Sequence, residues 1–216
     1  GRASASPQGL LRISAPLSFG ISRLSQLLPA FMARHPKLKL DIDLSDRTVD
    51  LAAEGIDVAL RIARQPATTN VISKRLAPVT LVCCASPSYL SRRGRPVQPA
   101  DLAQHDTLNY SYLSSGDSWS FRKDTGEIEQ VRIRPRAHAN NGDVLRNMAG
   151  QGFGIILQPD FIVKHHLVSG VLEQVLEGWC LDGYSLYALY MSRRYLPANV
   201  RAFIDFMEAE LAGGTA

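Results

Sequence analysis

The residues that could do chemistry in this chain are few and scattered. There are five histidines, His35, His105, His138, His165 and His166, and none shows a convincing metal-ligand spacing. His165 and His166 fall in a predicted helix, where adjacent side chains face different directions. The patterns GxSxG, HExxH, CxxC and GxxxxGK followed by Ser or Thr do not occur, so no nucleophile elbow, zinc site or P-loop is assembled. GQGFG at 150–154 tempts a dinucleotide reading, but its spacing is not GxGxxG. It also follows a helix and precedes a strand, the reverse of the nucleotide-binding order. Catalytic residues, cofactors and metals are therefore not expected, and the chain is not expected to be an enzyme.

What remains are groups suited to binding. Ser18-Phe19-Gly20 opens a predicted helix, and free backbone N–H groups with the helix dipole favour a carboxylate or phosphate there. Ser18 suits the N-cap as well, a role compatible with lining a pocket. Asn141-Gly142-Asp143 opens a second helix. Asp46 and Arg61-Ile62 stand at the carboxyl ends of predicted strands, where α/β sheets bind ligands. Gln158 ends a buried strand and has two available roles, a ligand contact or a backbone bond in the turn.

The organising stretch is LKLDIDLSDRTVDLAAEGIDVALRI, residues 38–62. Leu38, Leu40, Ile42 and Leu44 alternate with polar residues, a period of two. Thr48 is the expected N-cap of a short helix stopped by Gly55, and Ile56 to Ile62 is the next strand. Such a unit implies a parallel crossover. The polar face of the first strand implies an edge or an interface, because interior parallel strands are apolar on both faces. Upstream, LLRISA is a strand ended by Pro16, and Ile21, Leu24, Leu28, Phe31 and Met32 repeat at helical spacing. Pro29 should kink or split that helix.

Downstream comes a Gln65–Asn70 loop, then one long strand from Ser73 to Ala85 interrupted at Pro78. Ser86-Pro87 begins a helix, the Arg92, Arg93 and Arg95 cluster reads as a solvated loop, and Pro99–His105 is a short helix. Short strands follow from Thr107, with a hairpin turning at Asp124-Thr125-Gly126. Arg132, Arg134 and Arg136 could form a basic stripe, but no stacking aromatics are interleaved with them, which argues against nucleic acid. Val144, Leu145 and Met148 form a helix face, Asp160 caps the helix to Ser169, Ser185–Met191 is a strand, and Asn199 caps the last helix.

The totals are those of an ordinary globular protein. The chain has 216 residues, 45% hydrophobic and 20% charged, enough for one large domain or two lobes. Its net charge of +4 does not by itself imply nucleic acid. No apolar run approaches the roughly 18 residues of a membrane span, and GRASASPQG has no signal-peptide core. Cys83 and Cys84 are strand neighbours pointing to opposite faces and Cys180 stands alone, which fits reduced thiols in the cytoplasm.

The ordered set LLRISAPLSFG, LLPAFMARHPKLKLDIDLSDRTVDLAAEGIDVALRI, LVCCASPSYL, PADLAQH, GFGIILQPDFIV and YALYMSRRYLPANVRAFIDFME resembles the effector-binding domain of LysR-type transcriptional regulators. The resemblance covers about residues 9–211. It implies an α/β fold like type-II periplasmic binding proteins, two α/β lobes joined by two crossover strands. Lobe I would be residues 9–83 plus 191–213, lobe II residues 84–190, and 1–8 and 214–216 would be tails. Hinges would lie near Cys84-Ala85 and Tyr190-Met191. A polar or anionic effector would sit between the lobes and rearrange the subunits. Ser18, Phe19, Gly20, Asp46, Thr48, Arg61 and Ile62 would contribute from lobe I, and Tyr112, Asn140, Asn141 and Gln158 from lobe II. The chain would form a homodimer or tetramer, aided by the one-sided strand 38–44 and the helix 21–33. The family's helix-turn-helix and linker helix are absent from this sequence. Operator DNA would therefore be bound only through a missing N-terminal part. The rival is an exported solute-binding protein of the same fold.

Overall fold

The computed structural model describes residues 6–66, 70–181 and 183–214. The start of the expected N-terminal tail, residues 67–69 of the expected 65–70 loop and the last two residues of the expected C-terminal tail lie outside the described residues. The chain folds as two units, each with its own core. One ends at Val79 and resumes at Gly183; the other begins at Thr80 and takes the chain between. Both crossings therefore fall a few residues before the places expected from the resemblance, near Cys84 and Tyr190. The reason is pairing: Leu81–Ala85 already bonds within the second unit, and Ser185–Met191 already bonds within the first.

The first unit is built on a five-stranded sheet in the order Leu38–Leu44, Gly9–Ala15, Val58–Ala63, Ser185–Met191, Val71–Pro78. The first three strands are parallel, and the returning strand Ser185–Met191 is antiparallel to both of its neighbours. The organising unit forms as a crossover, but its two strands do not pair with each other; they flank Gly9–Ala15. Leu38–Leu44 is thereby the sheet edge, as its polar face requires. Leu11, Ile13, Val58 and Leu60 are fully or almost fully buried. Phe31 packs against Phe203 and Phe206 of the last helix, Ala198–Leu211, with ring centroids 5.5 and 5.2 Å apart. Leu51, Ile56 and Ala59 form a smaller cluster.

Two helix starts differ from expectation. The short helix Leu51–Glu54 is capped by Asp50, whose carboxylate accepts from Ala53 N at 3.1 Å, so Thr48 is not the cap. Gly55 ends it in the left-handed conformation, φ 66°. Asn199 lies inside the last helix, which begins after Pro197; its side chain accepts from Val200 N. Pro29 sits within Ser25–Arg34 without ending it, and the irregularity lies one turn earlier, in a π-helical stretch at Gly20–Leu24.

Among its described residues the second unit holds three small sheets. Leu81–Ala85 is the middle strand of three, between Ile156–Pro159 and Glu173–Gln174. That position buries both Cys83 and Cys84. Burial pushes the Cys84 thiol up to about 12 and raises Cys83 well above its ordinary range, with Cys84 and Glu177 adding smaller effects. Thr107–Tyr110 pairs in parallel with Pro135–Ala139, and Ser118–Arg122 with Ile128–Arg132 forms the expected hairpin. The long strand read from Ser73 to Ala85 is in fact two, divided after Pro78. The arginine cluster is fastened rather than loose: Arg93 pairs with Asp106 at 3.0 Å and Arg95 with Glu173 at 2.6 Å, and Arg92 donates to Gly152 O at 2.9 Å. Asp160 begins its helix without capping it by its side chain.

The 150–154 run makes a tight turn from helix Gly142–Gly150 into the strand that follows. A Cβ on Gly154 would lie 2.8 Å from Asp106 O, an atom that already accepts from Ile155 N at 2.9 Å. Backbone held this way cannot retreat cheaply. Gly154→Ala should cost about 2 kcal/mol in urea unfolding, whereas Gly178→Ala, where a Cβ meets nothing within 4 Å, should leave the midpoint unchanged.

Candidate functional site

The carboxyl ends of the three parallel strands in the first unit gather its candidate residues. The chain leaves Gly9–Ala15 at Pro16 and turns directly into helix at Leu17. Leaving Leu38–Leu44, it brings Asp46 back to that helix start, where the carboxylate accepts from Leu17 N at 2.8 Å. The first N–H of the helix is thus already matched to an anion from the protein itself. Ser18 is not the N-cap; that position is Pro16, and Ser18 is a buried residue of the first turn. Its carbonyl accepts from Ser22 Oγ at 2.8 Å. Phe19 is fully buried, so its ring belongs to the core. Gly20 begins the π-helical stretch.

Arg61 reaches across the same strand ends. It donates to Leu60 O at 2.7 Å, Ser14 Oγ at 2.9 Å and Arg47 O at 3.0 Å. Asp46 and Arg61 therefore meet at one place through the 45–47 segment. Ile62 is half-buried and paired with Leu186 in the ladder. Thr48 is exposed in the following loop. Beside it Arg47 pairs with Glu54, whose other oxygen accepts from Asp50 N at 2.8 Å. The Arg47 hydrogen bond first, and that backbone bond second, hold the Glu54 carboxyl below its usual range.

In the second unit the candidates collect at the start of helix Gly142–Gly150. Asn141 is the N-cap; its side-chain oxygen accepts from Asp143 N at 2.9 Å and Val144 N at 3.3 Å. Gln158 lies beneath that start, 4% exposed. A Cβ on Gly142 would overlap the Gln158 side-chain oxygen and Ile162, so glycine is required for the close approach. Gln158 donates to Leu157 O at 2.9 Å, the backbone bond that was one of its two expected roles. Asn140 and Tyr112 are exposed and face each other at 3.5 Å.

The structure adds residues that spacing did not mark. Asn109 is 3% exposed. It donates to Gly116 O at 2.9 Å and to Asp117 Oδ1 at 3.0 Å, and accepts from Tyr110 N and from the buried Trp119 Nε1. Asp117 also receives His138 at 2.8 Å. This network ties the segment bearing Tyr112 to the strand that delivers Asn140 and Asn141. A buried amide between apolar neighbours has no sequence signature; only its partners reveal it. Elsewhere, a crevice in the first unit near Ile56, Tyr190 and Val200 encloses about 10 Å³, room for one water at most. Among the described residues, no group of three or more His, Cys, Asp or Glu is placed to hold a metal ion. No helix among them is long and apolar enough to cross a membrane.

The His138 contact first, then Asn109, holds the Asp117 carboxyl below its ordinary range. A depressed carboxyl contributes stability above its unfolded pKa and loses it as pH falls through its folded pKa. His138→Ala should therefore move the Asp117 titration, followed by NMR, toward the ordinary carboxylate range. An unmoved titration would show that the contact carries no electrostatic weight.

Comparison with known proteins gives the family. The profile of the LysR substrate binding domain matches residues 4–212. The HTH-type transcriptional regulator PtxR of Pseudomonas aeruginosa is 34% identical over 205 residues, covering 95% of this chain and 65% of the relative. An uncharacterized HTH-type regulator of Haemophilus influenzae is 33% identical over 197 residues, covering 91% and 68%. The chain thus spans about two thirds of the length of these relatives. The full-length AphB structure from Vibrio cholerae aligns with TM-score 0.79 at 29% identity, covering 96% of this chain and 70% of that one. The regulatory domain of CrgA from Neisseria meningitidis aligns with TM-score 0.79 at 27% identity, covering 95% and 100%. With matched strands and helices over almost its whole length, and an α/β fold like type-II periplasmic binding proteins, this chain belongs to the LysR substrate-binding domain family.

Proposed function

We propose that this chain is a sensor that binds a small polar or anionic effector without transforming it, in the cytoplasm of a bacterium and as part of a larger transcriptional regulator. The observation that carries the reading is the meeting of Asp46, Arg61 and the helix start at Leu17–Phe19 on the carboxyl ends of three parallel strands. That is where an open α/β sheet takes its ligand. The effector would be held by Ser18, Phe19 and Gly20 together with Asp46, Thr48, Arg61 and Ile62. On the second unit, Tyr112, Asn140, Asn141 and Gln158 form a further candidate polar surface for an effector. Because Asp46 already occupies the first helical N–H, an anionic effector would meet the later N–H groups of that turn or displace the carboxylate. An effector can signal only by binding one state of the protein more tightly than another.

The relatives are HTH-type regulators, which favours this reading over an exported solute-binding protein of the same fold. DNA sequence recognition is assigned to the N-terminal part those relatives carry. Self-association is assigned to the exposed edge strand Leu38–Leu44, which presents Lys39, Asp41 and Asp43, and to the neighbouring helix, where Ile21 and Met32 are 59% and 49% exposed. An unpaired strand edge beside exposed apolar side chains is a surface that association would cover.

A thermal-shift screen of aromatic acids, amino acids and sugar acids should identify the effector class. With the effector in hand, Ser18→Ala and Gln158→Ala should each weaken binding by about 0.5–1.5 kcal/mol in calorimetry. Wild-type affinity in both variants would refute the site. Sedimentation at high micromolar concentration should show dimers, and a monomer throughout would refute the assigned edge.

A further inference from the structure

From Ile128 to Asn140 the chain alternates without a break between exposed and covered residues. Its exposed side carries Ile128, Gln130, Arg132, Arg134, Arg136, His138 and Asn140. No residue of this set is acidic, and Glu129, which lies between them in sequence, is partly covered and accepts from Ala100 N at 2.9 Å. Among the described residues none of the three arginines forms an ion pair. The nearest acid, Asp117, is influenced by Arg132 but is already bonded to His138 and Asn109. The unit's other basic side chains are largely committed, as in Arg93 with Asp106, Arg95 with Glu173 and Arg146 with Asp143.

The sequence alone argued against nucleic acid here because no aromatic is interleaved. Tertiary structure supplies one from elsewhere. The 150–154 turn sets Phe153 under Arg136, guanidinium to ring centroid 5.8 Å, with Phe153 still 51% exposed. A cation held over a ring loses little further freedom on binding. Alternate residues of an extended chain repeat every 6–7 Å or so. The result is a run of guanidinium groups, the last held over a ring, each suited to two-pronged bonding of phosphate.

We propose that this ridge, Arg132–Arg134–Arg136 propped by Phe153, is a sequence-independent contact for the phosphate backbone of duplex DNA. It would be separate from the recognition that the relatives' names assign to their helix-turn-helix. It reads no bases, because three exposed arginines at the junction of two strands present charge and no groove-filling element. Its role is to add affinity once a neighbouring module has placed DNA beside it, by raising effective concentration. The ridge shares only Asn140 with the candidate effector site and stands whether or not that site is correct.

The test is fluorescence anisotropy of this chain with a labelled duplex of about 30 base pairs and arbitrary sequence. Three phosphate contacts at a salt slope of ~0.9 each predict about 40-fold weaker binding between 50 and 200 mM salt. Replacing all three arginines by glutamine should abolish binding, and Arg134→Gln alone should lower the slope by about one. The charge-matched control Lys37→Gln/Lys164→Gln/Arg201→Gln should bind nearly as wild type, with all variants showing wild-type melting midpoints. The single variant stands alone should the triple one fail to fold. No binding by the wild type, unchanged binding by the ridge variants, or equal loss in the control would overturn the proposal. So would tighter binding to the corresponding single strand or to vesicles containing phosphatidylserine.

Discussion

The hydrogen bond from Leu17 N–H to the Asp46 carboxylate is the constraint on which the first unit's working end depends. A helix start leaves several N–H groups without intrahelical partners, and this one follows a strand with only Pro16 between them. Proline brings no side chain that could cap. Asp46, 29 residues away in sequence, takes the role and in doing so pins the loop after the edge strand to the helix after its neighbour. Such a contact contributes on the order of 1 kcal/mol, a small stabilisation but a large gain in definition. Arg61 completes the fastening from the third parallel strand by bonding Ser14 and Arg47 O. Three strand ends thereby become one surface with both signs of charge close together.

The second unit solves the same problem with a neutral group. Asn109 uses both its donors and its acceptor, inside a core that could not otherwise tolerate an amide. Around it the Trp119 indole, the Gly116 turn and Asp117 are fixed together. Asn141 then satisfies the N-terminus of helix Gly142–Gly150, with Gln158 pressed beneath Gly142. Polar groups at the two candidate surfaces are thus held by backbone bonds before any ligand arrives. Such pre-organisation lowers the ordering cost of binding.

The polar residues of the two surfaces divide into committed and uncommitted groups. The groups that bond the backbone, Asp46, Arg61, Ser14, Asn109 and Asn141, are committed to holding loops and helix starts in place. Thr48, Tyr112 and Asn140 are exposed and can change without disturbing the sheet.

The sequence determined the elements that obey local rules. Alternation in 38–44 marks an edge strand, Gly55 stops its helix, Ser118 to Ile133 reads as a hairpin, and the ordered motifs carry the family and the fold. Strand period, turn chemistry and apolar spacing are properties of neighbours along the chain. Helix caps were read less well, because Thr48, Ser18, Asp160 and Asn199 have the right chemistry while the cap was taken by Asp50, by Pro16 with Asp46 in support, by Pro159 and by Pro197. Only tertiary structure decided that Asp46 closes a helix 29 residues earlier, that Gln158 lies under Gly142, that Asn109 organises a core, and that Phe153 props Arg136. Each of these is a contact between residues distant in sequence. Its energy depends on burial and geometry that no local pattern encodes.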